Sequence, residues 1–231
     1  MTPAQRLKVA GATAAFAGVV LTGMFLTSTR GRAQDSGDRA ESRIEQGLEI
    51  APVPLNLAGR DRELVGLGSY IVNAQADCDG CHSAGPPTEF SRGGNPYFGQ
   101  QPEKINPATY LGGGRHFQIA PGFPDIVSRN LTPDKTGMPE GGRSFAEFVQ
   151  IIRTGVDLDH LHPACSATIT TNCFPTGPPN PPFDADLLQV MPWPIQKNMT
   201  DHDLRAIYEY LSAIPCIEGP PAPSPLHNDC Q

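Results

Sequence analysis

The segment ADCDGCHSAG, residues 76–85, brings together two thiols and an imidazole that could do chemistry. Cys78 and Cys81 are three positions apart, and His82 directly follows the second cysteine. Such a group is compatible with three kinds of site: a redox dithiol, half of a zinc site, or the attachment point of a covalently bound haem. The sequence around the motif decides among these hypotheses.

The dithiol and zinc hypotheses each lack a part that they require. A thioredoxin-type pair needs a βαβ setting with its first cysteine at a helix N-terminus, whereas this motif follows the end of a predicted helix. A structural zinc ion needs four ligands. Cys165 and Cys173 are eight positions apart, and His160 and His162 lie in a loop with no matching pair. Neither alternative assembles from the residues present.

A covalent haem needs only what the motif contains. Each thiol can form a thioether with one vinyl group of the porphyrin, and the adjoining imidazole can then bind the iron. The motif occurs once in the chain. The sequence therefore predicts one haem c, attached through Cys78 and Cys81, with His82 as the proximal iron ligand.

The sixth iron ligand is predicted to be Met191. It stands in the apolar segment LLQVMPWPIQKNMT, where Pro192 and Pro194 stiffen the chain. A thioether is a weak ligand, so it needs a rigid and dry loop to hold iron. The weaker candidates are Met138, Met199, His116, His160, His162, His202 and His227. The apolar side chains expected to cover the ring are Ile71, Trp193, Leu204 and Leu211.

Three predicted helices position these residues. The first, residues 60–75, has an apolar face that Gly68 interrupts. A glycine inside a helix costs about 1 kcal/mol relative to alanine, so we expect another helix to pack closely at Gly68. The second, residues 144–155, starts with a capping box and ends at a glycine. The third, residues 200–215, carries an apolar stripe that ends at a proline. Long Gly- and Pro-rich segments separate the helices, so we expect a mainly α fold with loop insertions.

The N-terminus is predicted to direct export. Basic residues precede an apolar run over residues 9–27, and small residues before position 34 suit a signal peptidase. Residues 1–33 are therefore either a cleaved signal peptide or an uncleaved membrane anchor. Residues 34–59 are predicted to be a flexible leader, and residues 216–231 an extended, Pro-rich tail.

Charge limits the choice of partners. The chain has 17 basic and 24 acidic residues, and loss of residues 1–33 would change the formal charge from −7 to −11. An acidic surface argues against nucleic acid and suits redox proteins with a basic docking patch, although solubility alone explains it equally well.

Four cysteines remain outside the motif, which predicts two disulfides in an oxidising compartment. Three connectivities are open for four cysteines. The local pairings are Cys165 with Cys173 and Cys216 with Cys230, and each would close a loop without regular structure.

The sequence resembles the class I c-type cytochromes. Residues 62–215 are more closely similar to cytochrome subunits of periplasmic membrane-bound dehydrogenases for alcohols and gluconate. The similarity rests on GSYIV, CDGCHSAG, YLGGGRHF, SRNLTPDKTGM, FVQIIRTGVD and MPWPIQKNMTDHDLRAIYEYLSAIP. It implies that residues 60–215 form a cytochrome c domain whose N- and C-terminal helices cross over a covalent haem. It also implies that Gly68 meets Tyr208 or Leu211, and that Met191, in the MP element, is the distal ligand.

Two departures limit what the resemblance implies. Those subunits commonly carry three CxxCH motifs, whereas this chain has one, and the segment 157–190 is longer than expected. The predicted function is single-electron transfer by a monohaem cytochrome, not an enzyme, in a periplasmic respiratory or dehydrogenase-linked chain. The alternatives are a haem-relay subunit of a larger membrane complex, and a haem enzyme or sensor with a displaceable distal ligand.

Overall fold

A computed structural model describes residues 40–118, 126–159, 187–222, 224 and 226–231. The chain forms two compact units, Met1–Arg43 and Ile44–Gln231. Of the first unit only residues 40–43 are described, and they are helical. The predicted signal or anchor segment, the pairing of Cys165 with Cys173, and residues His160 and His162 lie outside the described residues.

Helices supply most of the regular structure in the described part of the chain. Two short antiparallel strands pair His116 with Val127 and Phe117 with Ile126. In chain order the elements are α1 over residues 40–50, α2 Arg62–Tyr70, a π-helical turn Ile71–Gln75, α3 Cys78–His82, α4 Pro86–Glu89, a 3₁₀ turn Pro96–Phe98, β1 His116–Phe117, β2 Ile126–Val127, α5 Pro139–Gly142, α6 Phe145–Thr154, α7 Trp193–Gln196 and α8 Asp201–Ala213. Among the described residues no helix is both long and apolar enough to span a bilayer.

The predicted helix ends are confirmed at α6 and α8. Ser144 and Glu147 form the capping box of α6, and Gly155 ends it in the left-handed conformation with φ 74°. Thr200 and Asp203 form the equivalent box of α8. These contacts are local in sequence, so the residue pattern alone specifies them.

The core of the second unit lies where α2 crosses α8. Gly68 faces the Ala206 carbonyl and the Tyr210 Cβ, and a Cβ at position 68 would overlap the carbonyl oxygen. The predicted close approach at Gly68 is confirmed, but its partners are Ala206 and Tyr210 instead of Tyr208 or Leu211. Around the crossing the buried apolar side chains are Val65, Leu67, Ile71, Val72, Leu204, Ile207 and Leu211.

A buried polar group closes one side of this helix pair. The Tyr110 hydroxyl lies 2.7 Å from the Tyr210 hydroxyl and donates to the side-chain Oδ1 of Asn73 at 2.5 Å. The Asn73 amide donates back to Tyr210 at 3.1 Å. Because these groups satisfy one another, the helices keep one relative position without leaving buried donors unpaired.

The predicted flexible leader over residues 34–59 is wrong for residues 40–50. Residues 40–50 are helical, Ile44 is buried, and Gly47 packs against the backbone of Gly66 and Tyr70 in α2. The segment is mostly polar, so its composition resembles a linker. The small face at Gly47 and Gly66 lets two backbones approach closely, and that contact holds the segment in place.

The tail over residues 216–231 was predicted to be extended, but it folds back so that the Cα atoms of Cys216 and Cys230 lie 5.7 Å apart, and it is fastened to the domain. Cys216 and Cys230 form a disulfide across 14 positions, which confirms that pairing. Asn228 is buried, and its amide donates to the carbonyl oxygens of Thr132 and Pro133 at 3.0 and 2.9 Å. The tail thereby fixes the segment that follows residue 129.

Candidate functional site: an apolar pocket beside Cys78, Cys81 and His82

An apolar pocket lies between α3, the strands, α6, α8 and the segment 188–199. Its cavity volume is about 160 Å³. Both motif cysteines, His82 and Met191 line it, together with apolar side chains that include Val72, Phe148, Ile152, Leu204, Ile207 and Leu211.

The CxxCH motif forms α3 and part of the pocket wall. A π-helical turn ends α2, with the Ala76 N–H donating to the Ile71 carbonyl at 2.8 Å, and Asp77 then adopts a left-handed conformation with φ 47°. This widened turn and sharp bend reverse the chain, so that Cys78 and Cys81 come to line the pocket. Both are free thiols, Cys78 partly buried and Cys81 exposed.

Three hydrogen bonds from one loop hold α3 in place. The Asp79 carboxylate accepts the Leu111 N–H at 2.8 Å, and the His82 carbonyl accepts the Gly113 N–H at 2.6 Å. The Arg115 guanidinium donates to the Gly80 carbonyl. Leu111 is itself left-handed, with φ 58°, so the loop accepts backbone strain to make this contact.

The His82 imidazole is prepared to act as a metal ligand. Its Nδ1 lies 2.8 Å from the Arg129 carbonyl oxygen. Because a carbonyl can only accept, Nδ1 must carry the proton, which leaves the lone pair on Nε2. Burial lowers the pKa of His82, the hydrogen bond to the Arg129 carbonyl opposes this shift, and the Arg129 charge adds to it. The net shift favours the neutral ring, which metal-binding histidines require.

Arg129 is fixed in turn by a buried ion pair. Its guanidinium contacts Asp157, whose side chain is fully buried, and reaches Asp159 at 2.8 Å. Asp159 also contacts Arg143. The carbonyl that orients His82 therefore belongs to a residue whose side chain is held by ion pairs.

Burial shifts the acidity of the α3 side chains. It raises the pKa of Cys78 to about 12 and that of Asp79 to about 7. It also raises the pKa of Cys81, although Arg115 opposes the shift. A redox dithiol needs the opposite, a depressed pKa on its nucleophilic cysteine. Among the described residues no cluster of three or more His, Cys, Asp or Glu side chains could hold a metal ion, so a zinc site gains no support here.

The segment 188–199 forms another wall and carries two thioethers. Met191 and Met199 both line the pocket, and both pack against the apolar core. Trp193 holds this wall by donating its indole N–H to the Leu188 carbonyl at 3.0 Å, and its ring lies against Gly155.

The structure places most of the predicted site residues together. Met191, Leu204 and Leu211 line the pocket with the motif, whereas Ile71 and Trp193 do not. Ile71 is buried in the helix core instead, and Trp193 turns toward the end of α6. Of the other candidate ligands within the described residues, Met199 lines the pocket. Those that do not line it are Met138, His116, His202 and His227.

Three features of the site were not predicted from the sequence. Met199 was expected to be an ordinary core or capping contact, yet it reaches the pocket. The acceptor for His82 is a backbone carbonyl, which has no signature in a sequence. Glu140 also lines the pocket, although it lies in a polar turn. Only its neighbours Gly141 and Gly142 hint at an unusual backbone there.

Comparison with known proteins gives one informative match. The chain is 30% identical over 150 residues to the gluconate 2-dehydrogenase cytochrome c subunit of Pantoea cypripedii. The match covers 64% of this chain and 22% of that protein, so the chain spans about a fifth of its relative's length. No family model and no solved structure matches the chain. The chain is thus similar to part of a cytochrome c subunit.

The residues present fit a covalently bound haem. The pocket is apolar, two free thiols line it, and the imidazole beside them keeps an unprotonated nitrogen. A thioether completes the donor set that a low-spin haem iron takes.

Proposed function

We propose that the chain is a monohaem c-type cytochrome of class I fold that carries single electrons. Cys78 and Cys81 attach haem c, His82 is the proximal iron ligand and Met191 the distal one. The chain acts in the periplasm, either free or anchored to the outer face of the cytoplasmic membrane through residues 9–27. It performs no chemistry on a substrate and exchanges electrons with other redox proteins.

One observation carries the proposal: a single apolar pocket is lined by both motif cysteines, by His82 and by Met191. Met191 follows the motif by more than a hundred positions, so chance does not readily bring its thioether to the cavity that the motif lines. The crossing of α2 and α8 at Gly68 supports the class I fold, because the resemblance implies such a contact.

The chain's own residues would set how the cofactor behaves. A bound haem c supplies an iron that holds and releases one electron. The two thioethers would keep the cofactor attached outside the cell, and the Arg129 carbonyl would fix the orientation of the His82 ring. A methionine ligand and an apolar environment both favour the reduced state, so the midpoint potential should be higher than that of a bis-histidine haem.

Covalent attachment is tested in a host that matures c-type cytochromes. We expect the parent protein to show a mass increase of one haem and a haem c spectrum in alkaline pyridine. Cys78→Ser/Cys81→Ser should abolish both. Cys216→Ser/Cys230→Ser removes the same number of thiols away from the pocket and should keep one haem per chain. A colourless parent protein would refute the proposal.

The distal ligand is tested by paired substitutions of the two thioethers. Met191→Ala should abolish the far-red sulfur-to-iron charge-transfer band and lower the midpoint potential, while haem attachment is retained. Met199→Ala removes an equal side chain from the same pocket and should keep the band. If Met199→Ala abolishes the band and Met191→Ala does not, Met199 is the ligand.

A second candidate is a haem-relay subunit of a membrane dehydrogenase complex, favoured by the similarity to a dehydrogenase cytochrome c subunit. The acidic surface would then dock on basic patches of its partners. The two candidates differ in the native state of assembly. Recovery from its own cells as a lone monomer that rapidly exchanges electrons with a soluble carrier favours the first, and co-purification with a dehydrogenase favours the second.

A further inference from the structure

Glu140 is an ionisable side chain of the pocket that the proposed electron transfer does not use. It belongs to α5, Pro139–Gly142, and lines the same cavity as His82. Its side chain is partly buried. Among the described residues no hydrogen bond or ion pair engages its carboxyl group.

The backbone at Glu140 is held in a conformation that disfavours a side chain. Its φ of 52° and ψ of 49° are left-handed, where a Cβ meets the carbonyl oxygen. Its N–H donates to the Leu131 carbonyl at 3.3 Å, which anchors the turn. Glycine occupies positions 141 and 142, yet position 140 carries a glutamate. A strained residue in a cofactor pocket is grounds for a functional hypothesis.

The charges around Glu140 largely neutralise one another. Arg129 is paired with Asp157 and Asp159, and Arg143 contacts Asp159 and lies 3.7 Å from Glu147. From α8, the Tyr208 hydroxyl donates to the Arg143 carbonyl at 3.0 Å.

Neither arginine forms an ion pair with Glu140, because Arg129 and Arg143 contact other carboxylates instead. Burial is the largest influence and raises the pKa of Glu140 above its ordinary 4.5. Arg129 and Arg143 lower this pKa, and Asp157 and Glu147 raise it. The carboxyl can therefore change its charge in response to a further charge in the pocket.

We propose that Glu140 binds a proton when the haem in this pocket is reduced and releases it when the haem is oxidised. This inference rests on the proposed function. One electron arrives from a reduced redox-protein partner, and one proton passes from hydronium in the solvent to the Glu140 carboxylate, which breaks an O–H bond of hydronium and leaves water. The only bond formed at the protein is the O–H bond of Glu140, and the net charge of the pocket is conserved.

The direction of the coupling follows from electrostatics. The oxidised state carries one more positive charge in the pocket than the reduced state, and this charge stabilises the Glu140 carboxylate. Glu140 therefore binds its proton more tightly in the reduced protein. Reduction becomes harder as the pH rises through the interval between the two pKa values. There the midpoint potential falls with a limiting slope of about 59 mV per pH unit, since tenfold in equilibrium constant is 59 mV for one electron.

The test is the midpoint potential of the haem-loaded protein measured between about pH 5 and about pH 9. The parent should show a falling segment in this range. Glu140→Gln should remove that segment and raise the potential at its alkaline end. Glu140→Gly should do the same, and its thermal midpoint should equal or exceed the parent's because glycine relieves the left-handed strain. This second variant separates the coupling from any loss of fold.

Glu147→Gln is the matched control, since it removes one nearby negative charge from an exposed capping residue that glutamine can replace. It should keep the parent's slope. A haem-loaded parent with a flat potential, or a Glu140→Gln variant that keeps the slope, overturns this inference alone. Absence of attached haem, which the pyridine spectrum reveals beforehand, overturns the proposed function and this inference together.

Discussion

The two sides of the pocket that carry the predicted iron ligands are held in different ways. On the His82 side, α3 is tied to residues 111–115 and to Arg129, which are far from it in sequence, and the buried Asp157 holds Arg129. On the Met191 side, the chain is tied mainly to the end of α6. The Leu188 N–H donates to the Gly155 carbonyl at 2.7 Å, close to where Trp193 packs.

The remaining ties on the Met191 side are more exposed. Arg153 donates to the Met199 carbonyl at 2.7 Å and contacts Asp201, whose side chain is 90% exposed. Exposed ion pairs contribute little to the free energy of unfolding. Removal of one partner from a buried pair lowers it strongly, because the other charge is left buried and unpaired. We therefore expect damage to the His82 side to unfold the protein, and damage to the Met191 side to release the ligand while the fold persists.

The largest effect is expected at the buried ion pair. Asp157→Ala leaves Arg129 without its buried partner and should lower the free energy of unfolding by about 3–5 kcal/mol, measured by urea denaturation. Asp159→Ala is the control, because Asp159 is 36% exposed and its loss should cost about 1 kcal/mol or less. Equal costs for the two variants would contradict the difference in burial on which the comparison depends.

Removal of the disulfide should also weaken the His82 side. Asn130 donates its amide to the carbonyls of Ile217 and Leu226, so the tail is joined to the residue that follows Arg129. Cys216→Ser/Cys230→Ser opens a 14-residue loop and should lower the free energy of unfolding by about 3 kcal/mol. The check is urea denaturation of this variant beside the parent, and coincident curves would show that the tail contributes nothing.

A substitution at Gly155 is the most direct way to disrupt the Met191 side of the pocket. Gly155→Ala adds a Cβ that overlaps the Trp193 ring at a φ of 74°, and should cost about 2–3 kcal/mol. The far-red band should weaken while haem attachment is unchanged. Gly99→Ala, at a φ of 68° with open space around it, carries the backbone strain alone and should leave the band intact. A normal band in Gly155→Ala would mean that Trp193 does not position Met191.

The smallest effect is a pH dependence on the His82 side. Burial raises the pKa of Asp79 to about 7, and one of its oxygens has no partner among the described residues. The folded state thus keeps a proton that the unfolded chain releases near its ordinary pKa of 3.8. The free energy of unfolding should fall as the pH rises from about 4 to about 7, by about 1–2 kcal/mol once hydration of the carboxyl is allowed for. Asp79→Asn should flatten this dependence, and an unchanged dependence would exclude Asp79 as its source.

The parts of the fold that the sequence predicts are those that depend on neighbouring residues. The caps at Ser144 and Thr200 are patterns of three or four positions, and the pairing of Cys216 with Cys230 is the local one. The partners of Gly68 depend instead on the register between two distant helices. Tyr208 packs against Phe145 and Phe148, and Tyr210 takes the place at the crossing.

The same distinction separates the predicted from the unpredicted parts of the site. Cys78, Cys81 and His82 form a compact motif, and Met191 is marked by the prolines that follow it. The Arg129 carbonyl, Met199 and Glu140 enter the pocket through tertiary packing, which leaves no local pattern. Helix α1 was missed for that reason as well, since its polar sequence hides a contact made by two glycines.

The contrasting cysteine environments bear on how the proposed haem would be attached. Cys216 and Cys230 form a disulfide by losing two hydrogens to an oxidant, whereas Cys78 and Cys81 would have to stay reduced to attach the proposed haem. Disulfide exchange proceeds through thiolates. A Cys78 pKa of about 12 leaves almost no thiolate at neutral pH, so the folded chain protects this sulfur from oxidation and from mispairing. Burial in the pocket thus lowers the reactivity of Cys78, one of two thiols that stay free in the structure in which Cys216 and Cys230 are joined.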